Sequence, residues 1–262
     1  MQEILPATNA VVRENCPISE LTIGLQCGAS DGFSCITANP ALGYASDLLV
    51  SMRGTSLLSE TPEIYGAEQL LLTRASSVAV ADKLRERIEW WEKYAAQHGA
   101  ALNNNPSPGN KAGGLTTIFE KSLGAVAKSG TAQLSDVVHY GEKPQKKGLV
   151  FMDSPGFDPV SVTGQIAAGA QLILFTTGRG STFGSKPAPT LKIASNDLLF
   201  SKMHDDMDLG CGDILSKGTA LAQKGEEILA AIIATASGRQ TKSEAQGLGD
   251  HENVPWHIGA VL

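Results

Sequence analysis

The protein is a chain of 262 residues with a formal net charge of −6, 42% hydrophobic residues and 18% charged residues. The acidic balance and the lack of a dense Lys/Arg run disfavour nucleic acid and anionic membranes as partners. No apolar run approaches the roughly 18 residues of a membrane span, and the start lacks the basic and apolar regions of a signal peptide. These features predict a cytoplasmic globular protein.

The first part of the chain predicts the unit of a parallel sheet. Residues 1–20 carry two prolines and little periodicity, and we expect a strap or a cut end there. Residues 21–27 alternate like a short strand. A helix is predicted over 39–54, because Pro40 suits its first turn, and residues 55–60 predict a second strand. Strand, helix and strand in this order are typical of α/β proteins.

The second part repeats this order most clearly. Two buried apolar runs flank a helical segment within about thirty residues, which favours a right-handed βαβ crossover. Residues 131–147 are polar and irregular, and we expect a surface excursion there. The remaining predictions are helices over 75–99, 115–129, 158–170 and 224–237 and strands over 149–153, 171–178 and 190–196. The predicted fold class is α/β, a Rossmann-like three-layer domain with a mainly parallel sheet.

Polar side chains follow four of the predicted strands. In an open parallel sheet, ligands bind in the crevice beyond the carboxyl ends of the strands. A ligand site is therefore expected at one rim of the sheet, built from Gln26-Cys27-Gly28, Ser59-Glu60, Asp153-Ser154-Pro155 and Thr176-Thr177-Gly178-Arg179.

Two loops offer groups for an anionic, hydroxyl-rich ligand. After the fourth strand, glycines, Thr176, Thr177 and Arg179 favour an anion site; the alternative is a tight turn with an exposed Arg. In the polar loop 103–114, asparagines and Lys111 suit a polyhydroxylated ligand, although residue types alone favour a surface loop.

Several acidic residues have two interpretations. Glu60 and Glu63 suit a divalent cation or acid–base chemistry, but also a helix N-terminus. Asp153 ends a strand, and Asp158 is predicted to be an N-cap.

The segment around Cys211 combines a thiol with four aspartates, which suits iron. A buried free Cys is the more common fate of a lone cysteine. His204, just before this cluster, suits a ligand or a base, or an exposed position at a helix end. Cys16, Cys27, Cys35 and Cys211 form no Cys-x-x-Cys pair, so a structural zinc site is disfavoured.

Seven blocks, in this order, resemble the altronate dehydratase/galactarate dehydratase family, and more closely its altronate branch at "MDSPGFDPVSVTGQ" and "ETPEIYGAE". The blocks are "LQCGASDGFSCITANPALG", "SETPEIYGAE", "NNNPSPGNKAGGLTTIFEKSLGA", "MDSPGFDPVSVTGQIAAGA", "FTTGRGS", "KPAPTLKIASN" and "DMDLGCG". The resemblance covers nearly the whole chain, but only the C-terminal portion of a family protein. It implies that residues 21–262 are a catalytic domain and that residues 1–20 continue from a missing region, comprising an SAF-type domain and a middle segment.

The resemblance also implies a function: iron(II)-dependent hydro-lyases that dehydrate sugar acids, as in the conversion of D-altronate to 2-keto-3-deoxy-D-gluconate. Galactarate dehydration, a non-catalytic sugar-acid binding module and a sulfolactate sulfo-lyase-like large subunit are the alternatives, and homo-oligomerisation is left open. The candidate residues are Glu60, Asp153 and His204 for proton transfer, Cys27 and Cys211 for Fe²⁺, Arg179 and Lys111 for the substrate carboxylate, and Asn39, Asn104, Asn105, Thr176 and Thr177 for its hydroxyls.

The chain departs from the family pattern at two glycines. Ala29 follows Gly28 where the family has Gly-Gly, and Cys35 stands where the family has Gly. Cys35 is therefore not expected to be a ligand. If the replaced glycine needs a positive φ, the substitution costs about 1 kcal/mol or more.

Overall fold

The computed structural model describes residues 3–102 and 106–262, and its centre is a seven-stranded parallel sheet. The strand order is β3-β4-β2-β1-β5-β6-β7, and every pair is parallel. The strands are β1 (Thr22–Gly28), β2 (Thr55–Leu58), β3 (Leu134–Val138), β4 (Gly148–Met152), β5 (Leu172–Thr177), β6 (Thr190–Ala194) and β7 (Leu209–Gly210). The predicted α/β class is confirmed.

Helices connect these strands and cover the sheet. They are α1 (Leu5–Asn9), α2 (Ala38–Ser51), α3 (Gln69–Leu72), α4 (Val78–Gln97), α5 (Pro108–Ala112), α6 (Ile118–Ala127), α7 (Asp158–Ala167), α8 (Asp197–Lys202), α9 (Asp213–Ser216), α10 (Leu221–Ala236) and α11 (Lys242–Ala245), with 3-10 turns at Ile18–Glu20 and Thr61–Ile64. Over the two described ranges, no helix combines the length and the apolar character that crossing a membrane requires.

The two faces of the sheet pack against different layers. Because side chains alternate along a strand, Ile23 and Leu25 of β1 join the main core with α2, α4, α6 and α10. Ile173 and Phe175 of β5 face the other way and pack with Val162 of α7. The result is a three-layer arrangement with the core on both faces of the sheet.

The strand order fixes where the site lies. β4, β2, β1 and β5 are consecutive neighbours and parallel. Their carboxyl ends therefore share one edge, which we call the rim. The prediction that four strand ends converge is confirmed.

Two segments differ from the sequence-based expectations. The excursion predicted over 131–147 contains β3, an edge strand that pairs only with β4 among the named strands. Its alternation is hidden by Ser135 and Asp136, and its register shifts between Leu134 and Asp136. In the predicted strap, α1 forms a short exposed helix before an irregular stretch. The domain boundary at residue 20 stays a prediction.

Candidate active site

A buried cluster of charged and polar side chains lies at the rim. At its centre, Nζ of Lys128 donates a hydrogen bond to Sγ of Cys27 at 3.0 Å and lies 3.7 Å from Oε2 of Glu60. The exposed fractions are 0% for Lys128, 1% for Glu60 and 4% for Cys27. We call this group, with its neighbours, the rim cluster; its members are Gln26, Cys27, Glu60, Glu63, Lys121, Lys128 and Asp158.

Helix α6 supplies both lysines of the rim cluster. Lys121 and the C-cap residue Lys128 are seven residues apart, about two turns, so they lie on the same helix face. Lys121 forms an ion pair with Glu63. Burial lowers the pKa of each lysine, but the acidic neighbours, Glu63 for Lys121 and Cys27 for Lys128, outweigh burial and hold both pKa values above the ordinary range. Both lysines are therefore cations, as a buried ion requires a partner.

Glu60 is held in an unusual environment. Its backbone is in the left-handed region, with φ 74°, which costs about 1–2 kcal/mol for a residue with a side chain. Within residues 3–102 and 106–262 neither carboxylate oxygen accepts a hydrogen bond. Burial raises the pKa of Glu60 well above its ordinary value, and Lys128 opposes this shift. Strain and an unsatisfied buried carboxyl together are typical of a functional site.

Asp158 approaches the rim from the first turn of α7. Its Oδ1 accepts a hydrogen bond from Nε2 of Gln26 at 3.2 Å, and a Cβ on Gly28 would collide with its Oδ2. Burial, followed by the charge of Glu63, raises the pKa of Asp158 to about 6. The predicted N-cap role is wrong: Phe157 occupies that position and no side chain caps the helix.

Asp153 is tied into the protein by two donors. Its Oδ1 accepts hydrogen bonds from Oγ1 of Thr61 at 2.6 Å and from Nε1 of Trp91 at 2.8 Å. Trp256 stacks on Trp91 with ring centroids 5.4 Å apart. Burial raises the pKa of Asp153, and the two hydrogen bonds oppose it. These contacts hold the loop after β4 in place. Proton transfer by Asp153 stays a prediction.

The predicted hydroxyl-binding residues form bonds within the protein. Oγ1 of Thr176 donates to Oδ1 of Asn39 at 2.6 Å, and Nδ2 of Asn39 donates to the carbonyl of Gly124 at 2.9 Å. Oγ1 of Thr177 accepts from the backbone N–H of Gly180 at 3.1 Å. These bonds tie β5 to α2 and α6, and a role toward substrate stays a prediction. Asn104 and Asn105 lie outside the described residues.

The predicted carboxylate-binding residues lie on neighbouring loops. Arg179 is exposed and packs against α5, where a Cβ on Gly109 would lie 2.6 Å from its Nη1. Lys111, also exposed, belongs to the same short helix. The N–H groups of Gly178 and Arg179 donate to the carbonyl of Ala29 at 3.2 and 3.1 Å. Two cations therefore flank the loops that follow β1 and β5.

His204 and Cys211 lie apart from the rim cluster. The side chain of His204 is 70% exposed and faces Asp205, with Nδ1 3.4 Å from Oδ1. Cys211 is buried in the main apolar core, and burial raises its pKa to about 12. In the described part of the chain, no hydrogen bond or ion pair joins either residue to the rim cluster.

The side chains at the rim do not form an iron site by themselves. No group of three or more His, Cys, Asp or Glu residues suited to a metal occurs across 3–102 and 106–262. Sγ of Cys27 instead accepts a hydrogen bond from the Lys128 cation, and Cys211 is in the apolar core. The described residues therefore hold no complete ligand set for the predicted Fe²⁺.

The sequence patterns do not predict a role for Lys121 or Lys128. Their signal is present in "IFEKSLGAVAKSG", where two lysines share a helix face with small apolar residues such as Gly124 and Ala125. Lysines are usually solvated, so only their position on the buried face distinguishes them.

The two departures from the family glycines have different consequences. Ala29 adopts φ 48°, the region that favours glycine. Cys35 is absent from the positive-φ residues of the described chain, and its Sγ contacts the carbonyl of Glu120 at 3.4 Å. Backbone strain from a positive φ is therefore found at Ala29 and not at Cys35.

Comparison with known proteins is consistent with the seven-block resemblance. The family profile described as D-galactarate/Altronate dehydratase, C-terminal, matches residues 18–261. The chain is 41% identical to the galactarate dehydratase (L-threo-forming) of Escherichia coli K12, in an alignment that covers 93% of this chain and 47% of that protein. It is 41% identical to the altronate dehydratase of Bacillus subtilis 168, with 93% of this chain and 49% of that protein aligned. It is 42% identical to the altronate dehydratase of E. coli K12, with 88% of this chain and 46% of that protein aligned. The chain spans about half the length of these curated relatives.

Proposed function

The chain belongs to the D-galactarate/altronate dehydratase family, and from this premise we propose that it forms the part of a sugar-acid hydro-lyase that carries the acid–base groups. The observation that carries the proposal is the rim cluster, in which two lysine cations are buried among three carboxyls and a thiol. Burying so many ionisable groups costs folding free energy, and clusters of ionisable groups with shifted pKa values are typical of functional sites.

Dehydration of a sugar acid requires two proton movements. A base removes the proton α to the carboxylate, and the electron pair forms a double bond as the β-hydroxyl leaves and is protonated to water. The resulting enol tautomerises to the 2-keto-3-deoxy acid. Carboxyls with raised pKa values suit such transfers near neutral pH, and Lys128 with Lys121 supplies positive charge for the developing enediolate.

The substrate carboxylate needs a cation at the opening of the site. Arg179, on the loop after β5, and Lys111, on the neighbouring helix α5, are both exposed, and a guanidinium can bind a carboxylate through two hydrogen bonds. We propose that these residues orient the sugar acid, with its reacting carbons toward the rim cluster.

D-altronate is the finer proposal, supported by the motifs "MDSPGFDPVSVTGQ" and "ETPEIYGAE". The similarity to galactarate and altronate dehydratases is nearly equal, at 41%, 41% and 42% identity. Galactarate is therefore the alternative substrate, and both acids belong in the same assay.

The test is formation of a 2-keto-3-deoxy acid from each substrate, measured with thiobarbiturate. The chain is assayed alone and after co-expression with the N-terminal half of the Bacillus subtilis relative, with and without added iron(II). Product from either acid supports the proposal and identifies the substrate. Binding without product in the co-expressed protein would instead favour a sugar-acid binding module, and a need for iron(II) would support the predicted cofactor.

A further inference from the structure

We propose that Asp158 is the carboxyl of the rim cluster that exchanges a proton with the bound sugar acid, an assignment that rests on the proposed function. The sequence-based candidates for this role are Glu60, Asp153 and His204. Asp158 was expected only to cap a helix, so its assignment comes from its position in the fold.

Asp158 is more accessible to solvent than the other carboxyl residues near the rim. Glu60 is 1% exposed, Asp153 4% and Glu63 6%, so all three are less accessible to a ligand than Asp158. Asp158 is partly exposed. Oδ1 of Asp153 is also occupied by two donors. Glu63 is engaged in the ion pair with Lys121. Direct proton exchange requires hydrogen-bond distance to the substrate, and Asp158 is the best placed of these four carboxyls.

The orientation of Asp158 is fixed while one oxygen stays available. Nε2 of Gln26 donates to Oδ1 at 3.2 Å, which sets the rotation of the carboxyl. Oδ2 lies over Gly28 at the end of β1, where any side chain would collide with it. No residue of the described ranges donates a hydrogen bond to Oδ2. An oriented carboxyl with one free oxygen is the arrangement that a positioned base needs.

The charges around Asp158 come from two neighbouring segments, the 3-10 turn with its N-cap residue and helix α6 with its C-cap residue. Glu63 of the 3-10 turn acts against its ionisation, Lys121 and Lys128 of α6 act in favour of it, and Glu60 is a further acidic neighbour. Together with burial, these groups leave its pKa at about 6. Asp158 is therefore mostly a carboxylate at neutral pH and is still basic enough to accept a proton.

In the proposed step, a carboxylate oxygen of Asp158 takes the α-proton of the sugar acid. The C–H electron pair forms the carbon–carbon double bond, and the β C–O bond breaks as hydroxide leaves and takes a proton from solvent to become water. Asp158 then gives its proton to C3 as the enol becomes the ketone, and the enol hydroxyl proton passes to solvent. The overall change is loss of one water, and no oxidant or reductant is needed.

The test compares Asp158→Asn with wild type in the co-expressed protein, using D-altronate and galactarate. Asn retains an acceptor for Gln26, so the fold is expected to persist, which circular dichroism checks. We expect kcat to fall roughly 10²–10⁴-fold while KM changes less than about threefold. Wild-type kcat should rise with pH through about 6, and Asp158→Glu should recover part of the activity with a shifted pH profile.

Asp82→Asn, an exposed change on α4, is the matched control and should keep wild-type kcat. Wild-type turnover that survives in Asp158→Asn within threefold, with the same pH profile, overturns the assignment to Asp158 alone. No product from either acid with wild-type protein overturns the proposed function, and the assignment of Asp158 with it.

Discussion

Replacement of Lys128 by Met tests whether the rim cluster is held together by its buried cation. Met keeps the length of the side chain and fills much of the same space. The change removes the donor to Sγ of Cys27 and the ion pair with Glu60. Glu60 then remains 1% exposed, without a compensating charge from Lys128. Removing one partner of a buried ion pair costs about 3–5 kcal/mol.

The cost should depend on pH in a defined direction. The pKa of Glu60 is already raised by burial, and Lys128 is the neighbour that lowers it. A raised folded-state pKa gives stability that is lost as pH rises through that pKa. Without Lys128 the pKa rises further, so the penalty of Lys128→Met should be larger at pH 8 than at pH 5.

Urea unfolding at pH 5 and pH 8 measures both effects. Lys147→Met is the matched control, because Lys147 pairs with Glu20 while 47% exposed, and such surface pairs contribute about 0–1 kcal/mol. Adding Glu60→Gln to Lys128→Met should recover part of the lost stability. If Lys128→Met costs no more than Lys147→Met at either pH, the buried ion pair does not stabilise the rim cluster.

Two further predictions concern the stability of this chain alone. The pKa of Asp158 is raised from 3.8 to about 6, so its ionised form destabilises the folded state by about 3 kcal/mol at most. Asn carries no charge, so Asp158→Asn should raise the free energy of unfolding by about 2 kcal/mol at pH 8, where Asp158 is ionised, and by little at pH 4. An equal change in the free energy of unfolding at both pH values would show that the ionisation of Asp158 is not its cause. Ala29→Gly should stabilise the folded chain by about 0.5–1 kcal/mol, because Ala29 has φ 48°, where glycine is less strained. Ala96→Gly in α4 is the control and should destabilise the chain by about 1 kcal/mol. If urea unfolding shows that both changes destabilise the chain, the backbone at Ala29 is not strained.

The sequence predicts the sheet better than the site. Apolar runs bounded by Gly, Pro and Asp indicate β1, β2, β4, β5 and β6, because buried parallel strands are nearly continuous hydrophobic runs. The edge strand β3 carries Ser135 and Asp136 and has no such run. The hydrophobic pattern therefore predicts the central strands and the shared rim, but not the edge of the sheet.

The pairing of charges at the rim depends on long-range contacts. Cys27 and Lys128 are 101 residues apart in the chain, and local patterns do not specify such a pair. A lysine on a helix predicts a solvated side chain, and an Asp before Pro predicts a cap. Lys128 and Asp158 depart from these rules because α6 and α7 bring them to the same strand ends.

The most direct test of the account is formation of a 2-keto-3-deoxy acid from D-altronate or galactarate by the co-expressed protein. Wild type and Lys147→Met should form product at similar rates, and Lys128→Met should form it at least about tenfold more slowly. Equal product formation by Lys128→Met, with the fold intact, would contradict the claim that the rim cluster is the active site.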